Sequence, residues 1–377
     1  MDLEHTEEQN ILKSSAQSFL KKECPPSLMK DMKDDERGYP PELWDKMTEL
    51  GWLGVIIPEE YGGIGGDFLD LSIILEAMGE ACCPGPYFST VVLGGLAILS
   101  AGSDEQKQML LPKLVNGELI LTLALTEPGS WYGASGIKIH AAKDKDEFII
   151  DGTKLFVENA HIADYILCVA RTDGDAGSEE GLTLFLVDGK NEGLRCTLLE
   201  TLAYDKQCEV VFDKVRVPGE NVLGEPGQAW DILKDLQEQA AVAKCAEMVG
   251  GLQAAFDMTV AYAKEREQFG RAIGSFQAIQ HHCANMIIDV DGARFITYQA
   301  AWKIAERLPA SMEAAMAKAW TSEASRRVAH LGHQIHGAIS FCEEHDMHLY
   351  YRKAKAGEVA FGDGEYHLEK VAQQLGL

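Results

Sequence analysis

The stretch LILTLALTEPG at residues 119–129 decides the fold, because the chain changes character there. Its unbroken apolar run predicts a buried strand, and Glu-Pro-Gly predicts the turn that ends the strand. Asp151-Gly152 lies between two further apolar runs and predicts a hairpin turn. More strand-like runs follow at 163–171, 181–188 and 208–219. Residues 120–228 are therefore predicted to form a β domain of about six to eight strands.

The segments on both sides of this β domain carry helical patterns. Before it, apolar residues recur at helical spacing from Glu7 to Lys22, and Asp104 is expected to cap a helix that ends at Leu114. After it, the spacing predicts long helices at 230–266, 275–306 and 311–332. Helices of this length usually pack as a bundle. The predicted fold class is α+β, with domains at 1–119, 120–228 and 229–377.

Composition excludes several classes of function. The formal net charge of -25 disfavours binding to nucleic acid and to anionic lipid. No apolar run reaches the roughly 18 residues that a membrane-spanning helix needs, so no membrane insertion is expected. The nine cysteines include no CxxC pair, which favours reduced thiols in a cytoplasmic protein. No metal site is predicted, because the four histidines between 333 and 348 lack a coherent ligand spacing.

Six segments, in this order along the chain, resemble the acyl-CoA dehydrogenase family. They are PEEYGG at 58–63, LTEPG at 125–129, DGTKLFVENA at 151–160, YAKEREQFGRAIGSFQAIQH at 262–281, HQIHGAISF at 333–341 and RKAKAGEVAFGD at 352–363. The resemblance spans nearly the whole chain. It implies an N-terminal helical domain, a middle β domain and a C-terminal four-helix-bundle domain. It also implies FAD, held between the β domain and the C-terminal helices, and oxidation of an acyl-CoA to its enoyl-CoA.

The resemblance assigns FAD-binding residues to each half of the cofactor. Facing the flavin ring it implies Leu125, Thr126, Phe156, Val157 and Glu158, the last three at the start of a strand. For the adenosine and pyrophosphate half it implies Arg266, Phe269 and Gln277, since Arg is a fork of donors for phosphate. Read without the family, the turn could be an ordinary Pro-Gly turn, Phe156 a core residue, and Arg266 a partner of Glu265 or Glu267.

A third group implies an oligomer. Gln334, Gly337 and Ala338 match a QxxGG stretch that approaches the FAD pyrophosphate of a neighbouring subunit in the family. Ala338 replaces the second glycine, and its methyl group narrows that approach without closing it. A dimer or tetramer is therefore expected.

The catalytic base is the main departure from the family. The usual glutamate lies in a motif resembling YEGT, where this chain has AFGD, with Phe361 at the base position. A second family position, at the start of a long helix, holds Ala240 and Ala241. Asp363 is the leading candidate for a relocated base and Glu365 a weaker one. A plain solvated acidic loop is the open alternative.

The substrate side also departs from the family. The usual GAGSD is replaced by GSWYG at 129–133, so Trp131 and Tyr132 narrow the pocket rim and disfavour a simple straight-chain acyl group. Glu238 is a further substrate-side candidate. Three hypotheses stay open: a dehydrogenase with a relocated base, a hetero-oligomeric subunit whose partner carries the base, and a flavoprotein with other acyl-CoA chemistry. An electron-transferring flavoprotein is the expected electron acceptor.

Overall fold

The structure is a computed structural model that describes residues 5–130, 132–175 and 177–377. Its order of elements confirms the predicted fold class: an N-terminal helical domain, a middle β domain and a C-terminal helical domain. The described residues divide into two compact units. The helical unit takes the described part of 1–30 together with 67–83 and 238–377, and the β unit takes the described part of 31–66 and 84–237.

Eleven α-helices lie within the described ranges. They are α1 (Glu7–Glu23), α2 (Pro26–Met32), α3 (Pro41–Glu49), α4 (Phe68–Glu80), α5 (Leu96–Ala101), α6 (Asp104–Val115), α7 (Ala229–Glu265), α8 (Gln277–Ala305), α9 (Ser311–His336), α10 (Met347–Val359) and α11 (Gly364–Gln374). The three long helices predicted after the β domain are confirmed as α7, α8 and α9. Residues 88–95 form a π-helix that leads into α5.

The start of α6 corrects one prediction. Ser103, not Asp104, is the N-cap: its hydroxyl accepts the Gln106 N–H at 3.2 Å, and the Gln106 side chain accepts the Ser103 N–H at 2.9 Å. This reciprocal pair is a capping box. Ser and Asp are both favourable caps, so adjacent residues of these types leave the sequence ambiguous by one position.

The β domain is one eight-stranded sheet, which confirms the predicted number of strands. Its strands are β1 (Leu121–Ala124), β2 (His140–Asp144), β3 (Glu147–Glu158), β4 (Tyr165–Arg171), β5 (Leu182–Asp188), β6 (Leu194–Leu199), β7 (Gln207–Pro218) and β8 (Val222–Leu223). The order across the sheet is β6-β7-β3-β2-β4-β5-β8, and β1 pairs with β4 in parallel. Two short strands of the helical unit, β9 (Glu267–Gln268) and β10 (Arg271–Ala272), form a separate hairpin.

The predicted hairpin turn at Asp151-Gly152 is wrong. Strand β3 runs through both residues and carries a bulge there against β7, and the turn between β2 and β3 lies at residues 145–146. Gly152 has φ 149°, and a Cβ on it would lie 2.6 Å from Ile139 Cγ1. Gly152 therefore permits a β-bulge at which the Ile139 side chain comes close to the backbone. An Asp-Gly dipeptide suits such a bulge as well as it suits a hairpin turn.

Small residues hold the helical unit together. A Cβ on Gly79 of α4 would lie 1.8 Å from the Glu247 carbonyl oxygen of α7, so these two helices pack backbone to backbone. Ala240 and Ala241 are fully buried inside α7, eleven and twelve residues after its first residue, so they are not at the start of that helix as expected.

Within the described ranges, no helix has the length and apolar character needed to cross a membrane.

Gly152→Ala should lower the free energy of unfolding of the protein by about 1–3 kcal/mol, because the methyl group overpacks against Ile139 in a strained backbone. The matched control is Gly62→Ala, since Gly62 also has positive φ (84°) but has nothing within 4 Å of an added Cβ. Urea denaturation followed by circular dichroism measures both. Equal losses for the two variants would contradict a role for close packing at Gly152.

Candidate functional site

The turn that follows β1 is fixed by a buried lysine. Lys154 of β3 is 0% exposed, and its ammonium group donates to the Leu125 carbonyl at 3.0 Å and to Glu127 Oε1 at 2.8 Å. The Leu155 N–H donates to the Thr126 carbonyl at 2.8 Å. Leu125 and Thr126, which are among the residues predicted to face a flavin ring, are therefore held in place through their carbonyl groups.

The Glu127 carboxylate ties the same turn to the chain ahead of β2. It accepts the Lys138 N–H at 2.9 Å and the Ile139 N–H at 3.1 Å. Burial lowers the pKa of Lys154 below its ordinary value, and Cys168 and Glu127 act in the raising direction. A charged lysine in this position is sustained by its partners, since an isolated buried charge is costly.

The end of β3 presents an aromatic ring. Phe156 is 57% exposed and has φ 56°, whereas Val157 is buried and Glu158 half-buried. A second irregularity in the pairing with β7, between Lys154 and Val157, produces this geometry. The three residues thus lie at the end of a strand, not at its start as expected. The core alternative for Phe156 is excluded by its exposure.

The substrate-side candidates are less constrained. Tyr132 is half-buried and lies just before a short 3₁₀ turn at 134–136. Trp131 lies outside the described residues. Glu238 of α7 is half-buried, and its carboxylate accepts a hydrogen bond from the Ser311 hydroxyl at 2.7 Å. Neither described residue shows a feature that assigns it to a ligand.

The β9–β10 hairpin offers the most open candidate surface. Gln268 pairs with Arg271, and the two residues between them, Phe269 and Gly270, both have positive φ (56° and 78°). This is the backbone of a type I′ turn, which normally disfavours a bulky residue at its first central position. Phe269 is nevertheless there and is 93% exposed.

Arg266 and Gln277 flank this hairpin. Among the described residues, the Arg266 guanidinium makes no ion pair, so the expected alternative with Glu265 or Glu267 is not formed. Gln277 is exposed and begins the 29-residue α8, whose N-cap, Phe276, supplies no side-chain hydrogen bond to the first N–H groups. An uncapped helix start with a nearby unpaired guanidinium suits an anionic group such as a pyrophosphate.

Gln334, Gly337 and Ala338 are exposed at the end of α9. Gly337 has φ 70° and nothing within 4 Å of an added Cβ, so its backbone is open to close approach. The His336 ring stacks on Tyr262 of α7 with centroids 4.5 Å apart, and burial lowers the pKa values of His333 and His336. Within the described residues, no three His, Cys, Asp or Glu side chains are grouped as metal ligands.

Asp363 is the N-cap of α11. Its Oδ1 accepts the Tyr366 N–H at 2.9 Å, while Oδ2 accepts no hydrogen bond from any described residue. Phe361 and Gly362, just before it, have φ 55° and 100°. Glu365 is exposed in the first turn of α11. The residue at the usual base position is thus held in a strained turn, and the leading candidate base keeps one oxygen available.

Sequence reasoning missed Lys154 and Glu127 as the residues that fix the turn after β1. The sequence does contain a signal, because a lysine within an apolar strand and a glutamate beside a Pro-Gly turn are charged residues that are buried only when they are paired. Nothing in the spacing shows, however, that the two side chains meet.

Comparisons with known proteins agree over the whole chain. The acyl-CoA dehydrogenase N-terminal domain matches residues 6–118, the middle domain 122–215 and the C-terminal domain 230–376. A probable acyl-CoA dehydrogenase, YngJ of Bacillus subtilis, is 34% identical over 100% of both chains.

Solved structures give the same result. Butyryl-CoA dehydrogenase from Megasphaera elsdenii superposes with a TM-score of 0.93 at 30% identity, covering 100% of both chains. A chain of the ChsE4–ChsE5 complex from Mycobacterium tuberculosis superposes with a TM-score of 0.91 at 31% identity, covering 100% of this chain and 99% of its own.

Lys154→Met should lower the free energy of unfolding by about 3–5 kcal/mol, because it leaves the Glu127 carboxylate buried without its counter-charge. Adding Glu127→Gln should restore part of the loss, and Lys143→Met, which removes an exposed lysine of β2, should have little effect. Urea denaturation midpoints measure all three. A double variant as unstable as the sum of its single variants would show that the two side chains act independently.

Proposed function

Because this chain belongs to the acyl-CoA dehydrogenase family of oxidoreductases that act on CH–CH groups, we propose that it oxidises an acyl-CoA thioester to the enoyl-CoA with FAD. In this reaction a base takes the α-proton of the acyl group. FAD, when bound, supplies the acceptor for the β-hydride. Trp131 and Tyr132 depart from the family pattern, so branched and cyclic acyl groups are candidate substrates beside straight chains.

The observation that carries this proposal is the exposed Phe269 in its positive-φ turn. The backbone of Phe269 is strained and its aromatic ring is 93% exposed, and a ligand or partner that covers the ring would offset the cost of that exposure. Adenine provides a flat apolar partner for such a ring. Arg266 and the start of α8 at Gln277 supply donors for a pyrophosphate, so the residues present fit an adenine dinucleotide.

The remaining FAD candidates keep the roles that the resemblance gives them. Leu125 and Thr126 are proposed to offer backbone groups to the polar edge of the flavin, and Phe156, Val157 and Glu158 to contact its ring. Gln334, Gly337 and Ala338 are proposed to approach the FAD of a neighbouring subunit. This sharing favours a homodimer or homotetramer, and an electron-transferring flavoprotein as electron acceptor follows from the family.

Asp363 is the proposed base. Its Oδ1 is engaged by the Tyr366 N–H, and its Oδ2 is the oxygen available to accept the α-proton.

A second candidate function is favoured by Phe361 at the usual base position. A phenylalanine cannot accept a proton, and a similar solved chain belongs to the two-component ChsE4–ChsE5 complex. On this alternative, the chain is one subunit of a hetero-oligomeric dehydrogenase, and the partner subunit carries the base.

Arg266→Ala should weaken FAD binding by about 10–100-fold, the effect of losing one or two hydrogen bonds to a charged group. Arg271→Ala is the matched control, because Arg271 lies in the same hairpin but its guanidinium is placed over the Phe276 ring at 4.1 Å. Titration of the apoprotein with FAD, followed by flavin fluorescence, measures both. Wild-type protein that takes up FMN but not FAD would contradict the adenine assignment.

Asp363→Asn should slow flavin reduction by acyl-CoA about 10²–10⁴-fold without loss of bound FAD. The variant preserves the helix start, since Asn is as good an N-cap as Asp. Stopped-flow bleaching of the flavin, across straight, branched and cyclic acyl-CoAs, measures the rate. Phe361→Glu in the Asp363→Asn background should restore reduction.

Two outcomes separate the hypotheses. Reduction of Asp363→Asn at the wild-type rate would exclude Asp363 as the base. A wild type that bleaches only after addition of a second, copurifying family member would support the hetero-oligomeric alternative, and Phe361→Glu should then bleach alone.

A further inference from the structure

The turn between α10 and α11, residues 361–363, is held by side chains from two other positions in the helical unit. Its backbone is strained, with φ 55° at Phe361 and 100° at Gly362. A Cβ on Gly362 would lie 2.4 Å from Tyr366 Cδ1 and 2.7 Å from His367 Nε2. Strain of this kind persists only where the surroundings enforce it.

Lys318 of α9 supplies the first constraint. It is 0% exposed, and its ammonium group donates to the Gly362 carbonyl at 2.8 Å, the Glu358 carbonyl at 2.9 Å and the Ser322 hydroxyl at 3.1 Å. A lysine ammonium has three N–H donors, so each donor has one acceptor. Two of the three acceptors are backbone carbonyls at the end of α10 and in the turn.

His367 of α11 supplies the second constraint. It is buried, and its Nε2 donates to the Phe361 carbonyl at 2.9 Å. Burial lowers the pKa of His367 to about 4, so the ring is neutral at physiological pH with its proton on Nε2. The carbonyls of both strained residues are therefore engaged by buried side chains.

Burying the Lys318 ammonium group in order to hydrogen-bond two carbonyls costs free energy, because the charge loses its hydration. Burial lowers the pKa of Lys318 to about 8, because the charged ammonium group is less stable in this buried position than in water. Cys245 of α7, Glu358 of α10 and Asp363 act in the raising direction on that pKa, and Lys244 of α7 in the lowering direction. Water or a neutral side chain would satisfy carbonyls at lower cost. The ammonium group provides instead a stronger, charge-assisted bond to the turn.

We propose that Lys318 and His367 are positioning residues for the reaction, which lock the 361–363 turn so that side chain 361 and the Asp363 carboxylate keep fixed places. The inference rests on the proposed function. It adds that the rate of proton removal depends on two buried residues that do not themselves exchange protons with the substrate.

The first test measures the turn itself. Hydrogen exchange of the FAD-loaded protein is followed by mass spectrometry in the peptide covering 359–368. In Lys318→Met this peptide should exchange at least about tenfold faster than in wild type, because the loss of a charged hydrogen bond frees the turn. Lys355→Met is the matched control, since Lys355 pairs with the Glu358 carboxylate from the exposed side at 3.0 Å. Unchanged exchange in Lys318→Met would overturn the proposal.

The second test uses pH. Below about pH 8 the Lys318 amine is protonated and has three donors, and above it the neutral amine has two, so the turn should loosen as pH rises through the pKa of about 8. Exchange of this peptide, corrected for the intrinsic rate, should rise between pH 7 and 9.5 in wild type. In Lys318→Arg the charge persists and the rise should be absent. The pKa of Cys245 is raised to about 11 and that of His367 lowered to about 4, outside this window. A rise of equal size in Lys318→Arg would overturn the assignment, and this comparison stands even if Lys318→Met does not fold.

The third test connects the turn to the reaction. Flavin reduction by a reactive acyl-CoA should fall by up to about 10²-fold in Lys318→Met, with kcat affected more than KM, because misplacement of a reacting group lowers the rate more than binding. Loosened exchange with an unchanged reduction rate would overturn the positioning role and leave the proposed function intact. A wild type that no acyl-CoA reduces would instead overturn the proposed function, and the exchange results would still decide whether the lock exists.

Discussion

The buried ion pair between Lys154 and Glu127 is the interaction on which the β unit's candidate surface depends. It joins β3 to the turn after β1, and through the Glu127 carboxylate it reaches the residues that lead into β2. Each of these buried groups is stabilised by the others, because an unpaired charge or carbonyl in the interior costs free energy. The turn that follows β1 is consequently rigid, although it consists of loop residues.

Rigidity in this turn matters because its proposed contacts are made by backbone atoms. Backbone N–H and C=O groups cannot be re-aimed by a rotamer change, so only a fixed turn presents them reproducibly. The Leu125 and Thr126 carbonyls are already engaged within the chain by Lys154 and Leu155. The Leu125 carbonyl shares its peptide plane with the Thr126 N–H, so its engagement also fixes the direction of that N–H. The Thr126 carbonyl shares its plane with the Glu127 N–H, which donates to the Ser130 hydroxyl at 3.1 Å.

Local pattern accounts for what the sequence could predict. The long helices and the number of strands were predictable because apolar periodicity is written in neighbouring residues. Asp151-Gly152 was misassigned because the same dipeptide suits a turn and a bulge, and the choice is made by β7 and Ile139, which are distant in sequence. Lys318 could not be identified, because its acceptors at 358 and 362 lie about forty residues away and are backbone groups without a sequence signal. The candidate FAD residues came from resemblance, and the structure adds that Phe269 is exposed and Arg266 unpaired among the described residues.

Three phenylalanines share a backbone conformation that bulky residues rarely adopt. Phe156, Phe269 and Phe361 have φ of 56°, 56° and 55°, and each lies at a position that the resemblance marks. Each such residue costs on the order of 1–3 kcal/mol, so the backbone must be enforced by neighbours and not by the side chain itself. At Phe361 the enforcing groups are Lys318 and His367, which hold backbone carbonyls and are indifferent to the side chain at 361. A turn held through its backbone carbonyls is expected to keep its geometry when side chain 361 changes, so either glutamate or phenylalanine is compatible with it. The proposed replacement of the family's usual base by Phe361 is therefore physically compatible with an intact 361–363 turn.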